Sequence, residues 1–219
     1  MAQERPLVEE RPALPVADPA PLGLGAFALT TFVLSAHNAG WAPDIIWVGL
    51  ALFYGGLAQF MAGMWEFKNR NTFGATAFST YGAFWLSLAT FILLVLFGRV
   101  DPKAVNVDQA LGWFLLAFAI FNTYMLAWSS RVNLAVFGVF LTLEVTEILL
   151  FVGFLTANTG LVQIGGYVGV VTAAVAWYTS AAGVVNSMSP TPVLPVGNPL
   201  WGALPATAQP GRPLPRTQS

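Results

Sequence analysis

Six long apolar runs between residues 22 and 186 are the feature that most restricts how this chain folds. They cover residues 22–38, 44–66, 74–98, 109–128, 132–155 and 163–186. Each is near the roughly 20 residues with which a helix crosses a bilayer. Only 9% of the residues are charged, well under the roughly 25% usual in soluble domains. The pattern predicts an all-α membrane protein, a bundle of six transmembrane helices, although the short first run also fits a re-entrant or broken helix.

The two ends of the chain differ in composition from its middle. Residues 1–17 are acidic and rich in proline, and residues 188–219 are rich in proline, so we expect two disordered tails. Residues 18–187 then form one six-helix membrane domain. Pro19 and Pro21 fix φ and lack an N–H, which suits the first turn of a helix and predicts a sharp start to the first span. No basic segment precedes a short apolar core near the N-terminus, so a cleaved signal peptide is not expected.

The distribution of Lys and Arg predicts the orientation of the bundle. If the N-terminus is cytoplasmic, seven of the nine cationic residues lie inside and only Arg99 and Lys103 lie outside. Because cytoplasmic loops carry the excess of positive charge, both termini are expected in the cytoplasm. The expected location is the plasma membrane.

Composition also excludes several classes of function. The chain has no cysteine and a single histidine, His37, which removes thiol chemistry and leaves no histidine spacing suited to a metal. It has no Walker lysine motif and no Gly-x-Ser-x-Gly motif. A net charge of −1 without a cluster of Lys and Arg gives no attraction for nucleic acid. We therefore expect no enzyme, no cofactor or metal, and no nucleic-acid partner.

Small residues recur every four positions in two of the runs. These ridges are Ala51 with Gly55, Ala58 with Ala62, and Gly165 with Gly169 and Ala173. Such spacing lets helix backbones approach each other closely in lipid. We favour packing between helices or subunits as their role, with the lining of a narrow solute path as the alternative.

Glu144 and Glu147 are the residues least expected in a membrane helix. They lie near the centre of the fifth run, where a carboxyl group marks a pathway, a proton relay or a buried partner. Their i,i+3 spacing predicts one helical face, shared with Leu141, that points both carboxyl groups at an aqueous path and allows proton coupling. The alternative is that they hydrogen-bond to Thr142, Thr146 or a neighbouring helix and stay protonated.

Other polar side chains at membrane depth are His37, Asn38, Thr30, Gln59 and Asn122. His37 and Asn38 end the first run, where the imidazole either caps the last carbonyl groups or acts as a pH-sensitive gate. The neutral groups either bond between helices or meet a polar solute, and we favour bonding between helices.

Several motifs follow one another along the apolar region. They are Pro19-Ala20-Pro21-Leu22-Gly23-Leu24, His37-Asn38-Ala39-Gly40, Phe53-Tyr54-Gly55-Gly56-Leu57-Ala58-Gln59, the run from Asn71 to Trp85, and Gly166-Tyr167-Val168-Gly169. In this order and spacing the motifs resemble the acetate uptake transporter family, which includes the bacterial succinate–acetate permeases and the fungal acetate permeases. The resemblance covers roughly residues 18–186.

The resemblance implies a six-helix protomer, often assembled as a hexamer, with a path for acetate and other short carboxylic acids and with proton-coupled uptake. It further implies that Phe27 and Tyr81 form a hydrophobic constriction. Leu141 is the expected third member, with Phe140 as the alternative, and Ala176 is expected to influence which acids pass. Two other functions stay open. One is a passive channel for small solutes such as acetate, ammonia or amides, and the other is a membrane sensor or scaffold that transports nothing.

Two features depart from the family's pattern. Asp18 stands where the family usually has asparagine, which keeps the ability to cap a helix but adds negative charge at the cytoplasmic mouth. Glu144 and Glu147 also lie outside the pattern, which leaves the exact substrate and the way protons are coupled open.

Overall fold

A computed structural model of the chain describes residues 16–102 and 104–201, and within these ranges all regular structure is helical. The six helices are α1 (Ala20–Asn38), α2 (Ile46–Lys68), α3 (Thr72–Leu96), α4 (Val107–Ser129), α5 (Leu134–Leu155) and α6 (Thr159–Ser187). Each is long and apolar enough to cross a membrane, which confirms the predicted fold class. The first is one continuous helix and not the re-entrant or broken alternative.

Polar caps before the helices explain why the chain turns where it does. At the start of α1, the Asp18 carboxylate accepts the Ala20 N–H at 2.9 Å, and Pro19 and Pro21 flank the first residue. The four helices from α3 to α6 each follow an asparagine whose side-chain oxygen accepts the N–H three residues on. These asparagines are Asn71, Asn106, Asn133 and Asn158. Each such cap stabilises a helix by about 1 kcal/mol.

The helices form a ring in which each packs on its neighbours in the order α3, α2, α1, α6, α5, α4. Aromatic side chains close the ring between α3 and α4. Tyr81 lies 5.5 Å from Phe121 between ring centroids, and Phe84 stacks on Phe114 at 5.1 Å. The centre of the ring is therefore lined by residues from several helices, which is the geometry that a path through the bundle requires.

Small residues set how closely the helices pack. A Cβ on Gly82 of α3 would lie 2.6 Å from the backbone nitrogen of Phe60, and one on Gly166 of α6 would meet the backbone of Ala39 after α1. A six-residue π-helical turn, Phe53–Ala58, interrupts α2 and brings Gly55 against the Thr30 side chain. Gly55 and Gly169 belong to the small-residue ridges, and both pack on α1, Gly55 against Thr30 and Gly169 against Ser35. Of the two roles proposed for the ridges, these contacts therefore favour helix packing.

The chain beyond α6 folds back on the bundle as far as residue 201, which differs from the disordered tail expected from residue 188. The Asn186 side chain accepts the N–H groups of Val193 and Leu194 at 2.8 and 3.0 Å. The N–H of Ala135 donates to the Val196 carbonyl at 2.9 Å, and that of Leu200 to the Ser130 carbonyl at 2.8 Å. Proline-rich composition alone did not reveal these contacts. Residues 1–15 and 202–219 of the predicted tails lie outside the described residues.

Candidate functional site

Two cavities enter the ring of helices from its opposite ends. The larger, of about 1050 Å³, lies at the end that carries Asp18 and Asn186. The smaller, of about 380 Å³, lies at the other end beside Asp44 and Asp108. Phe27, Tyr81 and Leu143 line both cavities, and no other described residue does so. These three side chains therefore form the partition between the two cavities. 

Phe27 of α1 and Tyr81 of α3, the two residues that the resemblance assigns to a constriction, meet directly at this partition. Their ring centroids are 5.7 Å apart with an interplanar angle of 62°, an edge-to-face contact. Both residues are buried, as is Leu143 of α5. A constriction built of apolar side chains closes a path by excluding water, and small movements of the side chains reopen it.

The third side chain of the partition is Leu143, and the structure does not bring Leu141 to this place. Leu141 is 43% exposed on the outside of the bundle and lines neither cavity. Phe140, the alternative, lines only the larger cavity, where it contacts Phe73 at 5.4 Å between ring centroids. Because an α-helix turns about 100° per residue, Leu141 and Leu143 point in nearly opposite directions.

Sequence reasoning missed Leu143, although a signal for it was present. Phe140, Leu143, Glu147 and Leu150 recur at intervals of three and four residues and are all buried on one face of α5. The sequence prediction places Leu141 on the path instead. Leu141 and Ile148 belong to a neighbouring stripe, and both are more than two fifths exposed. Both stripes are apolar and both fit the helical period, so only contacts with other helices distinguish them.

Glu144 and Glu147 occupy different environments in the structure. Glu147 is 3% exposed and lines the smaller cavity, whereas Glu144 is half-buried and lines neither cavity. Residues three apart on a helix differ by about 60° in direction, enough here to send one side chain inward and the other towards α4. The expectation that one face points both carboxyl groups at the path is therefore wrong for Glu144.

Glu144 instead follows the alternative given for it, hydrogen bonding to a neighbouring helix. Its Oε2 accepts from Asn122 Nδ2 at 2.6 Å, and its Oε1 accepts from the Thr123 hydroxyl at 2.7 Å. Asn122 and Thr123 belong to α4. This carboxyl group therefore joins α4 to α5 outside the path.

A polar network links the constriction to this pair of helices. The Tyr81 hydroxyl donates to Asn122 Oδ1 at 2.8 Å and lies 3.4 Å from Glu147 Oε1. Asn122 Nδ2 also donates to the Phe140 carbonyl at 3.0 Å. The other carboxyl oxygen of Glu147, Oε2, is buried and has no hydrogen-bond partner among the described residues. The constriction thus has one polar side, formed by Tyr81 and Glu147.

His37 and Asn38 line the smaller cavity near its mouth. The His37 imidazole is about one third exposed, and its Nε2 lies 3.7 Å from the Asp44 carboxylate. Ten residues of helix, about 15 Å, separate His37 from Phe27. His37 therefore stands at the entrance to the path and not at the constriction.

The remaining predicted residues divide between the path and the packing. Gln59 lines the larger cavity and is buried, and its Oε1 has no hydrogen-bond partner among the described residues. Thr30 is fully buried, donates its hydroxyl to the Ala26 carbonyl at 2.9 Å, and lines neither cavity. Ala176 is likewise fully buried outside both linings. Only Gln59 of these three is placed to meet a solute.

A ring of six apolar helices around a constricted internal path is the architecture of a multi-pass membrane protein of the channel and transporter class. Comparison with known proteins makes the assignment specific. The chain belongs to the GPR1/FUN34/yaaH family, whose family model matches residues 2–198. The resemblance given by the sequence motifs is thereby confirmed.

Individual relatives match over most of this chain. It is 38% identical over 184 residues to the succinate-acetate/proton symporter SatP of Escherichia coli strain K12, covering 83% of this chain and 96% of that protein. It is 42% identical over 177 residues to ammonia transport outward protein 2 of Saccharomyces cerevisiae, covering 78% of this chain. A solved structure described as the bacterial acetate channel SatP matches with a TM-score of 0.79 at 37% identity, over 83% of this chain and 99% of that one. The chain spans 63% and 62% of the length of two Saccharomyces cerevisiae relatives.

Proposed function

We propose that this protein moves acetate and related short carboxylic acids across the plasma membrane, as proton-coupled uptake, and that it is a transporter and not an enzyme. The observation that carries the proposal is the pair of cavities that reach Phe27, Tyr81 and Leu143 from opposite ends of the bundle. The names of the relatives support the choice of substrate, since one is a succinate-acetate/proton symporter and a solved relative is described as an acetate channel.

The apolar constriction gives a physical reason for coupling to protons. An ionised carboxylate loses its hydration where apolar side chains close the path, and this costs several kcal/mol unless a partner replaces the water. A protonated acid, or a carboxylate met by a hydrogen-bond donor, crosses at a lower cost. Of the three candidates for proton coupling, Glu147 and His37 line the smaller cavity and Glu144 does not, so we assign the coupling to the first two.

Uptake by the purified full-length chain in proteoliposomes tests this function. Labelled acetate, propionate and succinate are compared under an inward proton gradient, with and without an uncoupler. We expect acetate to accumulate and the uncoupler to abolish its accumulation. Absence of acetate flux with protein that is folded and correctly inserted would contradict the proposal.

A passive channel is the second candidate, because the solved relative is described as a channel and a yeast relative is named for ammonia transport. A passive channel equilibrates acetate or ammonia without accumulating either, and an uncoupler leaves the initial rate unchanged. The same proteoliposomes distinguish the two candidates when the concentration inside is followed to its final value.

We further propose a hexamer with both termini in the cytoplasm, as the family resemblance implies. The native chain contains no cysteine, so a single cysteine at Ser187 or Gly98 reports its side of the membrane without background labelling. We expect Ser187→Cys to react only from the cytoplasmic side and Gly98→Cys only from the outside. Light scattering of the purified protein gives the number of subunits.

A further inference from the structure

The orientation of the Asn122 amide group is fixed by a backbone carbonyl. Its Nδ2 lies 3.0 Å from the Phe140 carbonyl oxygen, and a carbonyl oxygen only accepts hydrogen bonds. The amide nitrogen must therefore face α5, which turns Oδ1 towards Tyr81. Since an amide oxygen also only accepts, the contact of 2.8 Å between Oδ1 and the Tyr81 hydroxyl is a hydrogen bond donated by Tyr81.

This bond uses the only proton of the Tyr81 hydroxyl. Its oxygen then offers lone pairs to the path, and it is a poor partner for an incoming carboxylate, which needs a donor. A tyrosine hydroxyl without such a partner would be free to donate to a carboxylate. Asn122 prevents this role, because it lies behind Tyr81 and accepts the hydroxyl hydrogen bond in a direction away from the path.

Glu147 is the group beside Tyr81 that is able to supply a donor. Its Oε1 lies 3.4 Å from the Tyr81 hydroxyl oxygen, which has already committed its proton and therefore gives Glu147 no hydrogen bond. Its Oε2 is buried beside the smaller cavity without a hydrogen-bond partner among the described residues. An ionised carboxylate without any donor in such a place costs several kcal/mol.

Among the residues that the structure describes, the charged and titratable groups around Glu147 do not offer it a cation. Glu144 lies one turn away on the same helix, and its two carboxyl oxygens accept hydrogen bonds from Asn122 and Thr123. His37, Asp44 and Asp108 line the same cavity but lie near its mouth. Of these groups only His37 is able to carry positive charge, and it pairs with Asp44 at 3.7 Å.

We propose that Glu147 is the carboxylate-recognition residue of the path: its protonated carboxyl group donates a hydrogen bond to the carboxylate of a short acid on the smaller-cavity side of the constriction. This inference rests on the proposed function. It gives the two glutamates different roles, one in substrate recognition and one in joining helices. It also predicts that an acid is preferred over its amide, because an amide oxygen accepts a neutral hydrogen bond more weakly than a carboxylate does.

The test compares acetate and acetamide uptake by the full-length protein in proteoliposomes, for the parent, Glu147→Leu and Glu147→Gln. Loss of a hydrogen bond to a charged group corresponds to a change in affinity of about ten- to a hundredfold. We therefore expect Glu147→Leu to raise the half-saturation concentration for acetate by that factor and to leave acetamide flux nearly unchanged. Glu147→Gln keeps a donor in the same volume and should lie between the parent and Glu147→Leu.

Glu144→Gln is the matched control, because it makes the same chemical change one turn away, outside the path. Its amide oxygen still accepts from Asn122, so the half-saturation concentration for acetate should stay at the parent value. An equal rise in Glu144→Gln and Glu147→Leu, or parent behaviour in Glu147→Leu, would overturn the inference.

Infrared difference spectroscopy of the purified protein provides a measurement that does not depend on transport. Addition of acetate should shift the carbonyl stretching band of a protonated carboxyl group in the parent and in Glu144→Gln, and that shift should be missing in Glu147→Gln. If the parent moves no acetate but shows the shift, the proposed function fails and the recognition role of Glu147 stands. If acetate is transported and the shift persists in Glu147→Gln, the recognition role fails and the proposed function stands.

Discussion

The Phe27 and Tyr81 rings meet edge-to-face at a centroid distance of 5.7 Å, and both rings line the cavities on either side of their contact. The two residues come from α1 and α3, which approach each other across the axis of the bundle. Edge-to-face pairs of this kind are worth about 0.5–1.5 kcal/mol beyond the area that they bury. The contact is thus strong enough to keep the two rings together and weak enough for small side-chain movements to separate them.

Replacing Phe27 by alanine should widen the constriction and relax its selectivity for size. We expect the rate of succinate uptake to rise about tenfold relative to acetate, which corresponds to a barrier lower by about 1.4 kcal/mol. Competition between labelled acetate and unlabelled succinate in proteoliposomes measures the ratio. Phe32→Ala is the control, since Phe32 lies on the same helix but packs on Trp177 and lines neither cavity. Equal changes in the two variants would argue against a gate at Phe27.

Leu143 and Leu141 offer a direct test of which face of α5 forms the path. Leu143→Ala removes a side chain that is 6% exposed and lines both cavities, whereas Leu141→Ala removes one that is 43% exposed on the outside. We expect Leu143→Ala to increase the uptake of propionate and succinate relative to acetate and Leu141→Ala to leave these ratios at the parent values. The opposite result would return Leu141 to the constriction and require α5 to rotate by about half a turn.

The sequence predicted the helices well because their signals are local. Apolar length sets the number of spans, and residues such as Pro19 and Asn71 set where helices begin through groups only a few positions away. Phe27 and Tyr81 were found through the family resemblance, since an apolar side chain in a membrane helix reveals nothing of its partner. The pairing of these two rings depends on how α1 and α3 pack.

The errors concern the direction in which helix faces point. Both stripes of α5 satisfy the helical period, and the choice between Leu141 and Leu143 depends on how α5 is rotated between α4 and α6, which spacing does not encode. The shared direction predicted for Glu144 and Glu147 was wrong for the same reason. Their side chains differ by about 60° in direction around α5, and this angle separates the path from the contact with α4. The ordered segment after α6 was missed for another reason: its hydrogen bonds come from Asn186 and from backbone groups of distant residues.

Tyr81→Phe should lower the stability of the bundle. The variant keeps the ring at the constriction but leaves the buried Asn122 Oδ1 without its donor. A buried acceptor that loses its partner costs about 1–3 kcal/mol, and thermal unfolding in detergent should detect this. Acetate affinity should fall less than in Glu147→Leu, because the proton of Tyr81 faces Asn122 and not the path.

Tyr124→Phe is the control for this stability measurement, since Tyr124 lies on α4 with about half of its surface exposed. An exposed hydroxyl finds other partners, so its loss should change the unfolding temperature little. Equal stability of Tyr81→Phe and the parent would contradict the donor role assigned to the Tyr81 hydroxyl.

Asn186→Ala should release the segment of residues 188–201 from the mouth of the larger cavity. The Asn186 side chain accepts the N–H groups of Val193 and Leu194 and donates to the Leu194 carbonyl at 2.9 Å. Each of these hydrogen bonds contributes about 0.5–1.5 kcal/mol. Because Val196 and Pro199 line the larger cavity, we expect faster amide hydrogen exchange across residues 193–200 and easier access of solutes to the cavity.

The control for this variant is Ser187→Ala, whose exposed hydroxyl donates only to the Val184 carbonyl within α6. Exchange across the segment should stay at the parent rate in Ser187→Ala. If exchange in Asn186→Ala also stays at the parent rate, then the backbone bonds from Ala135 and Leu200 hold the segment without help from Asn186.

If exchange rises and the rate of acetate uptake rises with it, the folded-back segment restricts the mouth of the larger cavity. A rise in exchange with unchanged uptake would limit the role of the segment to covering the ends of α5 and α6.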